Sequence, residues 1–228
     1  LGDVYKRQGI HNGMRDFHQV KRVVVKVGTT LLSGSAGGVD TARLDAIARE
    51  LSAVTAAGRQ CILVTSGAIG MGRAAMGIKH KVSDVTFRQA LAAIGQGILM
   101  HEYQKAFERY SQKVAQVLLT NRIMSNRHSY VNLKNAMEKL LHMHIIPIVN
   151  ENDCVSIDEI GLAFGDNDKL SALVAGKIDA ELLIILTDVG GLFNANPRTH
   201  PDAQRIETVH EITDEIRAMA GKAGTSLG

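Results

Sequence analysis

At 228 residues the chain has room for one large domain or two small ones, and a core of that size holds together without disulfides or structural metal. Hydrophobic residues make up 45% and charged residues 21%, a globular balance that excludes a disordered chain. The net charge of +3 comes without a basic run, and the chain has no Trp, four Tyr and five Phe, so nucleic-acid faces, base-stacking platforms and membrane-surface helices are not indicated.

Leu1 to His18 show neither helical nor strand periodicity and are expected to form a flexible or non-native tail outside the domain at 19–228. From Val20 the pattern becomes regular. Val20 to Val27 is β-branched and predicts a buried strand ending at Gly28. Asp40 to Ala57 carries Leu44, Ile47, Ala48, Leu51 and Val54 at helical spacing, with Gly58 as the stop. Gln60 to Thr65 predicts the next strand, and Ser66 to Gly72 a glycine-rich turn leading into a short helix. Asp84 to about Tyr110 predicts a helix broken near Gly95 and Gly97. A strand at Val114–Leu119, a helix at Ser129–Met143, a strand at Ile145–Val149, a polar loop, a helix at Asn167–Lys177 and a strand at Leu182–Thr187 complete the series. Apolar strands alternating with helices predict an α/β fold, a three-layer α/β/α sandwich around a mainly parallel sheet.

Cys61 lies in an apolar run and Cys154 in a polar stretch, which argues against a disulfide framework or zinc site and fits a reducing cytoplasm. No apolar stretch approaches the roughly 20 residues of a membrane span, and the first residues lack a signal peptide's apolar region. The nine histidines show no metal-ligand spacing.

In open α/β sheets ligands bind beyond the carboxyl ends of the strands. Five polar clusters fall there: Lys26 to Thr30, Thr65 to Gly70, Asn150 to Asp153, Gly165 to Lys169 and Thr187 to Gly191. Each has a plain structural reading. Lys26 could snorkel to solvent, Ser66–Gly67 and Asp166 with Asp168 could cap helices, and Thr187–Asp188 could be a strand-end turn. Together they suggest one large site. There is no Gly-x-x-x-x-Gly-Lys-Ser/Thr, Gly-x-Gly-x-x-Gly or Gly-x-Ser-x-Gly, which removes P-loop, dinucleotide and hydrolase-elbow readings. What remains is glycine amides, lysine, hydroxyls and a few carboxylates without an obvious general base. That inventory suits phosphoryl transfer to a carboxylate, an acceptor already ionised at neutral pH.

At these motifs the chain resembles the amino acid kinase family, and within it the branch that phosphorylates the side-chain carboxylate of glutamate. The matching stretches are Val24 to Thr29, Val64 to Ile69, Gln89 to Gln96, Ile148 to Asp153, Gly165 to Ala172 and Leu186 to Asp188. The Asn-Glu-Asn-Asp and Gly-Asp-Asn-Asp pair is the more specific part. The resemblance implies that Lys26 contacts the phosphates and steadies the transferring group, with Gly28 and Thr29 in the phosphate loop. It implies that Ser66 and Gly67 hold the substrate, and that Asn150, Asp153 and Asn167 bind glutamate, Asp153 meeting its α-ammonium. Asp168 would orient catalytic lysines, and Thr187 and Asp188 would lie at the nucleotide. ATP with Mg²⁺ held mainly by phosphates and water, γ-glutamyl phosphate as product, inhibition by proline, a homo-oligomer and a downstream glutamyl phosphate reductase are further implications, with no nucleic acid, membrane or protein-bound metal.

The family continues into a Thr-Gly-Gly-Met loop with a second lysine, whereas the present sequence ends at Gly224 to Gly228, so a chain stopping inside that loop, with lower stability and slow turnover, is expected. The RNA-binding-like module that follows the kinase domain in some family members has no counterpart in this sequence. Kinases of aspartate, N-acetylglutamate, carbamate or UMP, and a silent amino-acid sensor, are the competing readings.

Overall fold

The computed structural model describes residues 10–11, 14–15, 17–32, 34, 38–155 and 167–219. The elements in chain order are β1 (Ile10–His11), β2 (Met14–Arg15), β3 (Arg22–Val27), α1 (Thr29–Leu32), α2 (Thr41–Ala56), β4 (Gln60–Val64), α3 (Ala68–Ala75), α4 (Val85–Glu108), β5 (Val114–Leu119), α5 (Asn121–Ser125), α6 (Arg127–His142), β6 (Ile146–Glu151), α7 (Asn167–Lys177), β7 (Leu182–Leu186), β8 (Leu192–Phe193), β9 (Arg205–Ile206) and α8 (Asp214–Met219). Five strands form one sheet in the order β5-β6-β4-β3-β7, every neighbouring pair parallel, so all their carboxyl ends lie along one edge. This arrangement requires strand–helix–strand crossovers, because parallel neighbours cannot be joined by a tight turn.

Alternation along each strand sorts the core into two layers. On one face Val23, Val25, Val27, Cys61, Leu63, Ile146 and Ile148 pack against Leu44, Ala48 and Leu51 of α2 and Leu99, Tyr103 and Phe107 of α4. On the other face Val24, Ile62, Val64 and Val149 pack against Met137 and Leu141 of α6 and Leu170 and Val174 of α7. These are the three layers that the apolar strand runs predict. Side-chain caps start three helices: Asp40 accepts from Arg43 N at 3.0 Å and Asp84 from Phe87 N at 2.6 Å, both where expected, while Asn126 accepts from Ser129 N at 2.9 Å and starts α6 at Arg127, two residues before the expected Ser129. Each such cap is worth about 1 kcal/mol.

Four further features differ from the sequence expectation. α4 is continuous from Val85 to Glu108, with no break at Gly95 or Gly97. Gly95 instead makes room for α3: a Cβ there would lie 1.8 Å from the Ala68 carbonyl oxygen and 2.4 Å from Gly72 N. Gly72 returns the contact, its Cβ position falling 2.0 Å from the Leu91 carbonyl oxygen. The expected turn through Gly72 is helical from Ala68 onward, since glycines tolerate helix and here permit close packing. β6 runs through Asn150 and Glu151, so these two polar residues belong to the strand and not to the loop after it. Within the segment expected to lack structure, Ile10–His11 pairs with Met14–Arg15 in antiparallel fashion, while its other positions before residue 17 lie outside the described residues.

The domain expected at 19–228 divides into two compact units, the first ending at Leu186 and the second running from Thr187. The second holds the β8–β9 hairpin, in which Leu192 pairs with Ile206 and Phe193 with Arg205, followed by α8. Among the described residues no helix is long and apolar enough to cross a membrane.

Candidate active site

Strand parity decides which layer each polar side chain enters. Lys26 shares the parity of Val24 and therefore faces the α7 layer, where Asp168 occupies the first turn. Its ammonium lies 2.6 Å from Asp168 Oδ1, with the lysine side chain 10% exposed and the aspartate 42%. A buried ammonium costs too much without a partner, so the ion pair explains how Lys26 sits within a Val-rich strand. A Cβ built on Gly28 would come within 3.4 Å of Lys26 Nζ, so this glycine leaves the ammonium uncrowded.

Thr65 follows the parity of Cys61 and Leu63 and faces α4, where its hydroxyl meets the buried Tyr103 hydroxyl at 2.8 Å. Burial pushes the Tyr103 phenol well above its usual range despite that bond, so it stays neutral. Asn150 has the parity of Ile146 and Ile148, and its Nδ2 donates to Gln96 Oε1 of α4 at 2.8 Å. Asn150 Oδ1 accepts from Glu151 N at 2.9 Å and from Asn167 Nδ2 at 3.0 Å, and Asn167 Nδ2 also donates to the Thr65 carbonyl. This run of amides passes around the strand ends and joins the α4 layer to the α7 layer.

The loops after β3 and β4 are tied together by Thr29 Oγ1, which donates to Ser66 Oγ at 3.1 Å, and by Ser66 Oγ, which donates to the Val27 carbonyl at 3.4 Å. Gly67 has φ of +105°, a left-handed conformation that a side chain would strain, and it opens α3 without a side-chain cap. The first amides of α3 are thereby left for solvent or an anion.

Lys26, Gly28, Thr29, Ser66, Gly67, Asn150, Asn167 and Asp168 thus gather at one sheet edge. Asp153 lies in the turn after β6, where Asn152 N donates to the Leu119 carbonyl at 2.7 Å. Gly165 and Asp166 lie outside the described residues. Thr187 and Asp188 belong to the second unit, where Asp188 Oδ2 pairs with Arg198 Nη2 at 2.6 Å and Thr187 Oγ1 donates to Asp188 Oδ1 at 3.4 Å. Sequence reasoning missed Gln96 and Tyr103 as site residues. The readable signal was polarity on an apolar stripe, since Ala92, Gln96, Leu99 and Tyr103 share the buried face of α4.

The model of the amino acid kinase family matches residues 21–226. The chain belongs to the amino acid kinase family. It is similar to a glutamate 5-kinase of Moorella thermoacetica, 49% identical over 208 residues that make up 91% of this chain and 54% of that protein. A glutamate 5-kinase of Methanosarcina mazei is 45% identical over 90% of this chain and 55% of its own length, and one of Dehalococcoides mccartyi is 47% identical over 91% and 56%. The chain therefore spans about half the length of the curated relatives it matches. Family membership and the parallel sheet with helices on both faces agree with the fold and family expected from the motifs.

Proposed function

We propose that this site transfers the γ-phosphoryl group of ATP to the side-chain carboxylate of L-glutamate. The observation that carries the reading is the Lys26–Asp168 ion pair beside the Asn150–Asn167 amides at the carboxyl edge of the sheet. The names of the relatives supply the acceptor.

In this reading a glutamate γ-carboxylate oxygen attacks the γ-phosphorus as the bond to the β,γ-bridging oxygen breaks. ADP leaves, and γ-glutamyl phosphate forms. The acceptor is already anionic, so no side chain has to remove a proton. The work falls to positioning and to neutralising charge on the moving group. Lys26 brings its ammonium to that group, and Asp168 holds the ammonium in place. The uncapped first turn of α3 with Gly67, and Thr29 with Ser66, provide amide and hydroxyl donors for anionic oxygens. Asn150, Asp153 and Asn167 hold the amino acid, and Thr187 and Asp188 serve the nucleotide.

Magnesium fits as the companion of the nucleotide. Among the described residues no group of three His, Cys, Asp or Glu side chains could cage a metal, whereas an Asp168 carboxylate oxygen could take one position on an ion that keeps its phosphate and water ligands. Bound there, the ion would neutralise phosphate charge. Inhibition by proline, a homo-oligomer, a cytoplasmic setting and a reductase that consumes the acyl phosphate complete the proposal.

The test is a stopped assay with ATP, Mg²⁺ and hydroxylamine, which traps an acyl phosphate as a hydroxamate. The reading predicts hydroxamate from L-glutamate and none from L-aspartate or N-acetylglutamate. Product from one of those acceptors and none from glutamate would overturn it.

A further inference from the structure

Two backbone groups set the sense of every amide in the site. The Thr65 carbonyl can only accept, so the Asn167 group that meets it is Nδ2. The Glu151 N–H can only donate, so the Asn150 atom that meets it, at 2.9 Å, is Oδ1. Asn150 then turns Nδ2 toward α4, where Gln96 Oε1 accepts it at 2.8 Å. The two hydrogens of Asn167 Nδ2 are spent on the Thr65 carbonyl and Asn150 Oδ1. Its own Oδ1 is what Asn167 has left, and that atom has no hydrogen-bond partner among the described residues.

We infer that Gln96 is a positioning residue for acceptor recognition: by accepting from Asn150, it steadies the amide pair in which Asn167 offers a carbonyl oxygen, which suits the α-ammonium group of an amino acid. The inference rests on the reading that this site takes an amino-acid carboxylate. Asn150 and Gln96 are 2% and 8% exposed, so water does not replace the bond if Gln96 loses its acceptor. The stranded Asn150 amide would then turn to pair its buried donor and withdraw Oδ1 from Asn167. Asn167, released on that side, would no longer hold its carbonyl oxygen toward a cation. In the intact site the Asn150 amide is held on three sides, by Gln96 Oε1, the Glu151 N–H and the Asn167 NH₂, and turning it would give up all three bonds at once. The arrangement receives an ammonium with a neutral oxygen and leaves Asp168 engaged with Lys26.

Gln96→Leu and Gln96→Met remove the acceptor, Met with the smaller change of shape, and Gln96→Glu keeps an acceptor oxygen. Binding to the full chain is measured by calorimetry with L-glutamate and with glutarate, the same diacid without the ammonium group. Expected is a five- to tenfold loss of glutamate affinity in Gln96→Leu or Gln96→Met, roughly the worth of one buried hydrogen bond. Glutarate affinity should not change, and Gln96→Glu should recover most of the loss. Equal losses for both diacids, or none for either, in a chain whose wild type binds glutamate would overturn this inference and leave the functional proposal standing. A wild type that binds another acceptor and not glutamate would overturn both.

Discussion

Two glycines on one helix should respond to the same substitution with opposite signs. Alanine at Gly95 places a methyl group 1.8 Å from the Ala68 carbonyl oxygen and 2.4 Å from Gly72 N. Both neighbours are backbone, so neither rotates away, and contact near 3.5 Å requires the two helices to part by about 1.5 Å. Alanine raises intrinsic helix stability by about 1 kcal/mol. Overpacking of a tight crossing costs about 1 to 3 kcal/mol or more, and here the clash meets two backbone groups at once. The balance is a loss of about 2 kcal/mol, which for a chain of this size lowers Tm by roughly 4 to 8 °C. Gly97 lies two residues further along, and a Cβ there meets nothing within 4 Å. Gly97→Ala therefore keeps the propensity gain and should raise Tm by roughly 2 to 4 °C. Thermal unfolding followed by circular dichroism distinguishes the two. A Gly95→Ala protein that melts at or above the wild type would refute the described α3–α4 approach, and equal falls in both variants would refute the packing argument.

Lys26→Ala should lower phosphoryl transfer about a hundredfold or more, the scale of losing one charge-stabilising donor, while calorimetric glutamate affinity stays within about twofold. Loss of glutamate binding would move Lys26 from the phosphate to the amino acid. Burial works to raise the Glu181 carboxyl, but the Lys21 and Arg22 backbone N–H groups bonded to it outweigh burial and hold it below its ordinary value of 4.5. A depressed carboxylate stabilises the fold above its unfolded pKa, and that contribution is lost as pH falls through the folded value. Glu181→Gln should therefore flatten the decline of Tm between roughly pH 5 and pH 3, and an unchanged slope would count against these bonds.

Much of the fold was legible because its signals are local. Val23 to Val25 and Cys61 to Val64 are continuous apolar runs that only a sheet covered on both faces accommodates, and Leu44, Ala48 and Leu51 mark one helical stripe. α5, with five residues, and β8 and β9, with two each, escaped because a period cannot show in so few positions. Gly95 misled for another reason. Taken alone a glycine is a helix breaker, and only the partner helix shows that it serves close packing. The gathering of Lys26 with Asp168 follows from strand parity once the layers are known. The part of Gln96 required knowing that α4 crosses behind Asn150, a relation between positions 54 residues apart.

The acceptor is the centre of the account, and thermal unfolding of this chain with L-glutamate, L-aspartate, N-acetylglutamate and UMP in turn tests it most directly. A ligand that binds only the folded state stabilises it by about 2.7 kcal/mol at a hundredfold excess over Kd, which corresponds to roughly 5 to 10 °C in Tm. A rise of that size is expected with L-glutamate alone. A rise with another of the four, and none with glutamate, would contradict it.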